Sequence, residues 1–149
     1  MTRQRLKRNK IIIFCAITLI ATLLGWLSIT HFRRTQVIGS WNVDFDNTYL
    51  YSDSDSASIE FMNGWTIFQD NNYIDLPPLY IPNAPIQNII EKSRGTWSIG
   101  MMDDSINIDA PNHPFNGKYL IDRQEVKIDG RILNFLRLIN DSTEIVLYR

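Results

Sequence analysis

Only two histidines and one cysteine occur in the 149 residues, so little reactive or metal-binding chemistry is on offer. His31 closes a long apolar run and reads as an interfacial residue. His113, within Asn112-His113-Pro114, reads as a loop histidine. A zinc centre needs several N or S ligands, and residues 35–149 hold one histidine and no cysteine. A Ser–His nucleophile would have to use His113, and no Gly-x-Ser-x-Gly elbow accompanies it. Oxygen ligands are more plentiful. Asp44, Asp46 and Asn47 lie close together, as do Asp53 and Asp55, and calcium takes such carboxylates. The EF-hand template fails at its sixth position, where Tyr49 stands in place of glycine, so these clusters read as solvated turns. Asp103-Asp104 likewise reads as a turn before Ser105. A carboxylate pair for glycoside hydrolysis would need an open cleft that a domain this small does not suggest. The expectation is a chain that is not an enzyme and holds no metal or cofactor.

Aromatic side chains are the stronger signal. Trp41, Trp65 and Trp97 sit on β-rich runs and are expected in the structural core. Tyr73, Leu79, Tyr80 and Ile81 lie in a proline-rich stretch where burial is less obligatory. They are the expected contact residues for a ligand or partner.

Charge separates the elements that must carry these residues. Before Thr35 every charged residue is basic: Arg3, Arg5, Lys7, Arg8, Lys10, Arg33 and Arg34. All 16 acidic residues follow, against the other 8 basic ones, so the distal part carries 8 − 16 = −8. An acidic surface repels phosphate backbones, and nucleic acid is not an expected partner.

Ile11 to Thr30 holds no charge and no proline. Twenty helical residues span about 30 Å, the hydrocarbon thickness of a bilayer. The sequence predicts a basic cytoplasmic stub over 1–10, a transmembrane helix over 11–32, and a domain over 35–149. Five Lys/Arg precede the span and two follow it, which puts the N-terminus in the cytoplasm and the domain on the periplasmic or extracellular side of the cell membrane. A cleaved signal is the rival. Its apolar core is shorter, at about 7–15 residues, and ends in a small-x-small site. The best candidate here, Ser28-Ile29-Thr30, ends in a β-branched residue. Ala21 and Gly25 form a small-xxx-small pair on which two helices could approach, so a homodimer is open but otherwise unsupported.

Residues 35–149 show short β-rich runs between turn residues. Val37–Phe45 reads as a first strand, with Tyr49-Leu50-Tyr51 extending it or forming a second. Ser58–Met62 and Trp65–Gln69 flank Asn63-Gly64, the strongest short hairpin signal. Residues 70–94 hold four of the six prolines and read as a long insertion, with a short helix over Ile86–Lys92, that caps the fold or forms a lid. Strand signals resume at Gly95–Met101, Ser105–Asp109, Gly117–Asp122, Glu125–Ile128, Arg131–Asn140 and Glu144–Tyr148, with a type I′ turn at Asp129-Gly130. The expected fold class is all-β: a small antiparallel meander or barrel of about eight strands after one N-terminal transmembrane helix. Closure removes exposed edges.

Gly39-Ser40-Trp41 recurs as Gly95-Thr96-Trp97, each opening a strand. A Gly-x-Trp on the first strand, followed by short antiparallel strands, resembles the lipocalin-like, calycin-type small barrels of bacterial envelope proteins. The resemblance implies a barrel whose mouth binds a small apolar molecule. It also implies a late arginine stacked on the first tryptophan, for which Arg137 and Arg149 are both open. Barrels of about eight strands can instead be filled by side chains. The expected role is a membrane-tethered, non-enzymatic envelope domain that binds a partner protein or a small apolar ligand. The alternative is a structural, accessory or immunity-type membrane protein with a filled barrel.

Overall fold

The structure, a computed structural model, describes residues 2–50, 61, 64–80, 85–86, 88–89 and 93–149, with side chains from residue 11 onward. It divides into two compact units, residues 1–35 and 36–149.

A single helix, α1, runs Thr2–Val37. Its segment from Ile11 is long and apolar enough to cross a membrane. Its large apolar side chains, from Ile11 to Phe32, are exposed around the whole circumference. Its hydroxyls are satisfied within the helix. Thr18 donates to the Phe14 carbonyl at 2.6 Å, Thr22 to Thr18 at 3.0 Å, Ser28 to Leu24 at 2.9 Å and Thr30 to Trp26 at 3.0 Å. Hydroxyls bonded in this way are compatible with an apolar surrounding. No breaker occurs in Arg33–Val37, so helix continues where the sequence pattern suggested a strand at Val37. Gly39, at φ +126°, ends it.

Residues 36–149 form a closed antiparallel barrel of eight strands in sequential order. They are β1 (Gly39–Val43), β2 (Trp65–Phe68), β3 (Tyr73–Asp75), β4 (Arg94–Ile99), β5 (Ser105–Asp109), β6 (Gly117–Ile128), β7 (Arg131–Ile139) and β8 (Glu144–Tyr148). Closure runs through Asn42↔Tyr148 and Val43↔Leu147. Tyr49 bridges to Glu144, which lengthens this short seam.

Three expectations need correction. The segment 70–94 was expected to be strand-free, yet β3 lies inside it, over three residues that precede the first of its prolines. The two strands expected over 117–128 are one, because Asp122-Arg123-Gln124 pair continuously with Arg137, Leu136 and Phe135. Trp65 is not core: it is 53% exposed. Period-2 alternation explains the last point, since Thr66 and Phe68 take the inward positions of β2 and leave Trp65 on the outside. The hairpin expected at Asn63-Gly64 and the extension through Tyr51 fall largely outside the described residues. So do Asp53 and Asp55. Of the short helix over 86–92, Ile86, Asn88 and Ile89 are described and are helical.

Inward positions form one cluster that includes Trp41, Phe68, Ile74, Trp97, Ile106, Ile108, Tyr119, Leu136, Leu138, Ile145 and Leu147. Phe68 meets Trp97 edge-on at 5.3 Å between ring centroids. The topology sorts the connections by end. The chain enters β1 at the end that also carries the turns β2–β3, β4–β5 and β6–β7. The opposite end carries the long connections β1–β2, β3–β4 and β5–β6.

Candidate functional site

The two Gly-x-Trp units prove to be structural devices of different kinds. Trp41 and Trp97 are each 2% exposed. Trp41 donates its indole N–H to the Val37 carbonyl at 2.8 Å, and Trp97 donates to Gln69 O at 3.0 Å. Gly39 supplies a backbone angle that other residues resist, whereas Gly95 supplies space. A Cβ on Gly95 would lie 2.5 Å from Asp109 O and 2.8 Å from Ala110 Cβ.

Of the two arginines open for the stacking role, Arg149 takes it. Its guanidinium lies 4.1 Å from the Trp41 ring centroid. It donates to Ile38 O at 2.9 Å and Gln36 O at 3.3 Å. The chain's last residue thereby clasps the entry to β1. Arg137 works elsewhere, bridging Glu144 at 2.5 Å and Asp122 at 3.2 Å; hydrogen bonding to Glu144 raises its pKa further.

His113 is in a loop, as its neighbours suggested, but it is only 4% exposed. Nε2 lies 3.0 Å from Pro77 O, and Nδ1 accepts from the Phe115 N–H at 3.1 Å. The neutral Nε2–H tautomer satisfies both contacts. Burial lowers its pKa from 6.5, partly opposed by the Pro77 carbonyl. His113 and Phe115 pack at right angles, 5.1 Å apart, and Phe61 lies against Phe115 at 5.9 Å. Leu76 and Pro77 are also buried, and the Leu76 N–H donates to Ser93 O at 2.8 Å. The described part of the proline-rich connection therefore caps the barrel end opposite the start of β1. The signal for this pairing was the His113-Pro114 loop itself, but sequence does not say that it meets Pro77.

Tyr119 is the other buried ionisable group on the interior. Desolvation pushes its pKa up to about 12, and its hydroxyl donates to Asn116 O at 3.3 Å. A neutral phenol so placed adds packing and one hydrogen bond.

Of the four residues singled out for contact, the three described do not form one patch. Tyr73 is 56% exposed on the outer wall, at the start of β3. Leu79, half-buried and bridged to Phe61, and Tyr80, 55% exposed, belong to the β3–β4 connection at the far end. Ile81 lies outside the described residues. Tyr73 does line a groove of about 570 Å³ on the barrel's flank, with Gln69, Ile74, Asp75, Arg94, Thr96, Asp109 and Pro111. Its polar floor is organised: Gln69 donates to Asp75 at 2.6 Å, and Arg94 pairs with Asp75 at 3.2 Å. That combination of a tyrosine edge, amides and one ion pair suits recognition of a polypeptide surface. Among the described residues, no three His, Cys, Asp or Glu side chains are grouped so as to hold a metal ion.

An eight-stranded antiparallel closed barrel is compatible with the lipocalin-like resemblance. No protein family, curated protein or solved structure matches this chain.

Proposed function

We propose that this chain is a lipocalin-like, membrane-tethered domain without enzymatic activity. On this reading its N-terminus lies in the cytoplasm and its barrel on the periplasmic or extracellular side of the cell membrane. It works by contacting another protein across the barrel's exterior. The observation that carries this reading is the interior. Every strand from β1 to β8 sends apolar side chains inward; ten large ones on β2–β8 are sealed from solvent, and Val37 and Phe115 pack in from the ends. Small eight-stranded barrels that carry a ligand need that space empty. With the interior occupied, recognition falls to the flank groove around Tyr73 and the far-end connection around Leu79 and Tyr80.

The test is site-specific photo-crosslinking in intact cells, with the photoreactive residue placed at Tyr73 or Tyr80. The reading predicts one discrete protein adduct from these positions, and none from Leu120 on the opposite wall. Saturable, one-to-one displacement of an apolar fluorescent probe from the purified protein would overturn it in favour of a carrier. The accessory or immunity-type reading predicts the same adduct; loss of the partner's activity on barrel binding would single it out.

A further inference from the structure

We propose that the barrel end bearing the β2–β3, β4–β5 and β6–β7 turns rests on the bilayer interface, with the β6–β7 hairpin and the β4–β5 turn as its feet. The proposal rests on the tethered reading above, since an untethered barrel would have no surface to rest on.

The hairpin outgrows the barrel. β6 pairs with β5 only over Gly117–Leu120, and β7 pairs with β8 only as far as Phe135, with Asn134 bonded to Arg149. Beyond that, among the described residues, Val126↔Leu133 through Ile128↔Arg131 pair only with each other. The three free residues of each strand extend about 10 Å, at roughly 3.3 Å per residue. The ribbon turns at Asp129-Gly130, both at positive φ (50° and 79°). An isolated two-stranded ribbon is marginal in water. Yet this one carries Val126, Ile128 and Ile132 at 37%, 47% and 57% exposure.

The neighbouring turn shows the same character. Met101 and Met102 are 71% and 83% exposed, the latter the most exposed of the large apolar side chains described. The two acids beside them are drawn off into ion pairs: Asp103 with Lys118 at 2.9 Å, and Asp104 with Arg123 at 2.6 Å. The ribbon over 125–134 carries Lys127 and Arg131 against Glu125 and Asp129, a local balance of 2 − 2 = 0 in a domain of −8. An apolar tip flanked by Lys127 and Arg131 fits a headgroup layer. Asp44, Asp46 and Asp141 lie in connections at the other end.

The chain enters the barrel unit at this end, six residues after Thr30, so this is the end that the apolar span tethers. Gln36 lines one cleft with Glu125, Asn134 and Arg149, so the base of the hairpin and the first residue of the barrel unit share a level. Between Thr30, where the apolar span ends, and Gln36, α1 advances only about 9 Å at 1.5 Å per residue. The hairpin's depth is limited by its backbone: the outer edges of 122–128 and 131–133 have no strand partner, and unpaired amides do not enter hydrocarbon. The tips therefore stop in the headgroup layer.

The test uses the full chain with Cys15→Ser, reconstituted in phosphatidylethanolamine–phosphatidylglycerol vesicles. An environment-sensitive fluorophore is attached at Ile128→Cys, Met102→Cys, Asp141→Cys or, within the span, Leu19→Cys. The expected result is a blue shift with loss of intensity to shallow nitroxide lipids at 128 and 102, no change at 141, and quenching by deep nitroxide lipids at 19. Adding Val126→Asp and Ile132→Asp should abolish the shift at 128 while the label at 19 stays quenched. A label at 128 that stays in water while 19 is quenched would refute the docking and leave the anchor standing. A blue shift at 128 that lipid nitroxides do not quench would assign the hairpin to a protein partner or a second copy instead. A label at 19 that escapes quenching would overturn both the tether and the docking.

Discussion

Trp41 concentrates more of the fold's connections than any other single side chain. Its indole is sealed in the core, tied to the end of α1 through Val37 O, and covered by the Arg149 guanidinium. Trp41→Ala is expected to lower stability by about 3–5 kcal/mol, as for other buried large aromatics. Trp65→Ala, on the outer wall, should cost less than about 1 kcal/mol. Urea midpoints of the two variants check the contrast. Arg149→Ala should cost about 1–2 kcal/mol, from the lost stacking and two carbonyl contacts, and Arg149→Lys should recover little because an ammonium lacks the planar fork. His113 makes a pH prediction. Its folded pKa lies below 6.5, so the unfolded chain takes up the proton first as the solution is acidified. The stability it contributes is complete above about pH 6.5 and declines as the pH falls from there toward the folded-state pKa. Protonation would also set an Nδ1–H against the Phe115 N–H. The stability gap between wild type and His113→Gln should therefore narrow below pH 6.5, measured by denaturant unfolding at several pH values.

At the scale of elements, β5 and β8 were legible residue for residue, because Ser105–Asp109 lies between Asp103-Asp104 and Pro111-Asn112, and Glu144–Tyr148 follows Asp141-Ser142. The Asp129-Gly130 turn was legible for the same reason. β3 was not: three residues give no periodicity, and prolines downstream masked them. The apparent break in β6 came from Asp122-Arg123-Gln124, which look like a loop in sequence. In the structure Asp122 and Arg123 have ion-pair partners, Arg137 and Asp104, which let polar residues sit mid-strand. The core role of Trp41 and Trp97 could be read from spacing, while the partner of His113 and the choice of Arg149 over Arg137 depend on contacts 36 and 111 residues apart along the chain. The flank groove was legible only through Tyr73, since its other walls come from strands whose adjacency no local pattern specifies. One element prediction follows from Gly95. Gly95→Ala would press a methyl on the β5 backbone at Asp109 and should cost about 1–3 kcal/mol, where Gly130→Ala would meet no atom and suffer only from its positive φ. Thermal melting of the two variants separates steric from conformational cost.

For the whole molecule, the anchor and the barrel divide the work. Under the proposed function an apolar helix fixes location, and a filled barrel turns recognition outward. A cleaved leader would free the barrel from the membrane, and a hollow interior would make it a carrier. Both alternatives change a single observable, the mass of the particle released intact from membranes. Native mass spectrometry of the protein extracted in mild detergent is the direct measurement. The proposed function predicts the mass of the full 149-residue chain, with no apolar molecule retained at one-to-one stoichiometry after the detergent is stripped. A mass that begins near Thr30, or a stoichiometric lipid that survives activation, would contradict it.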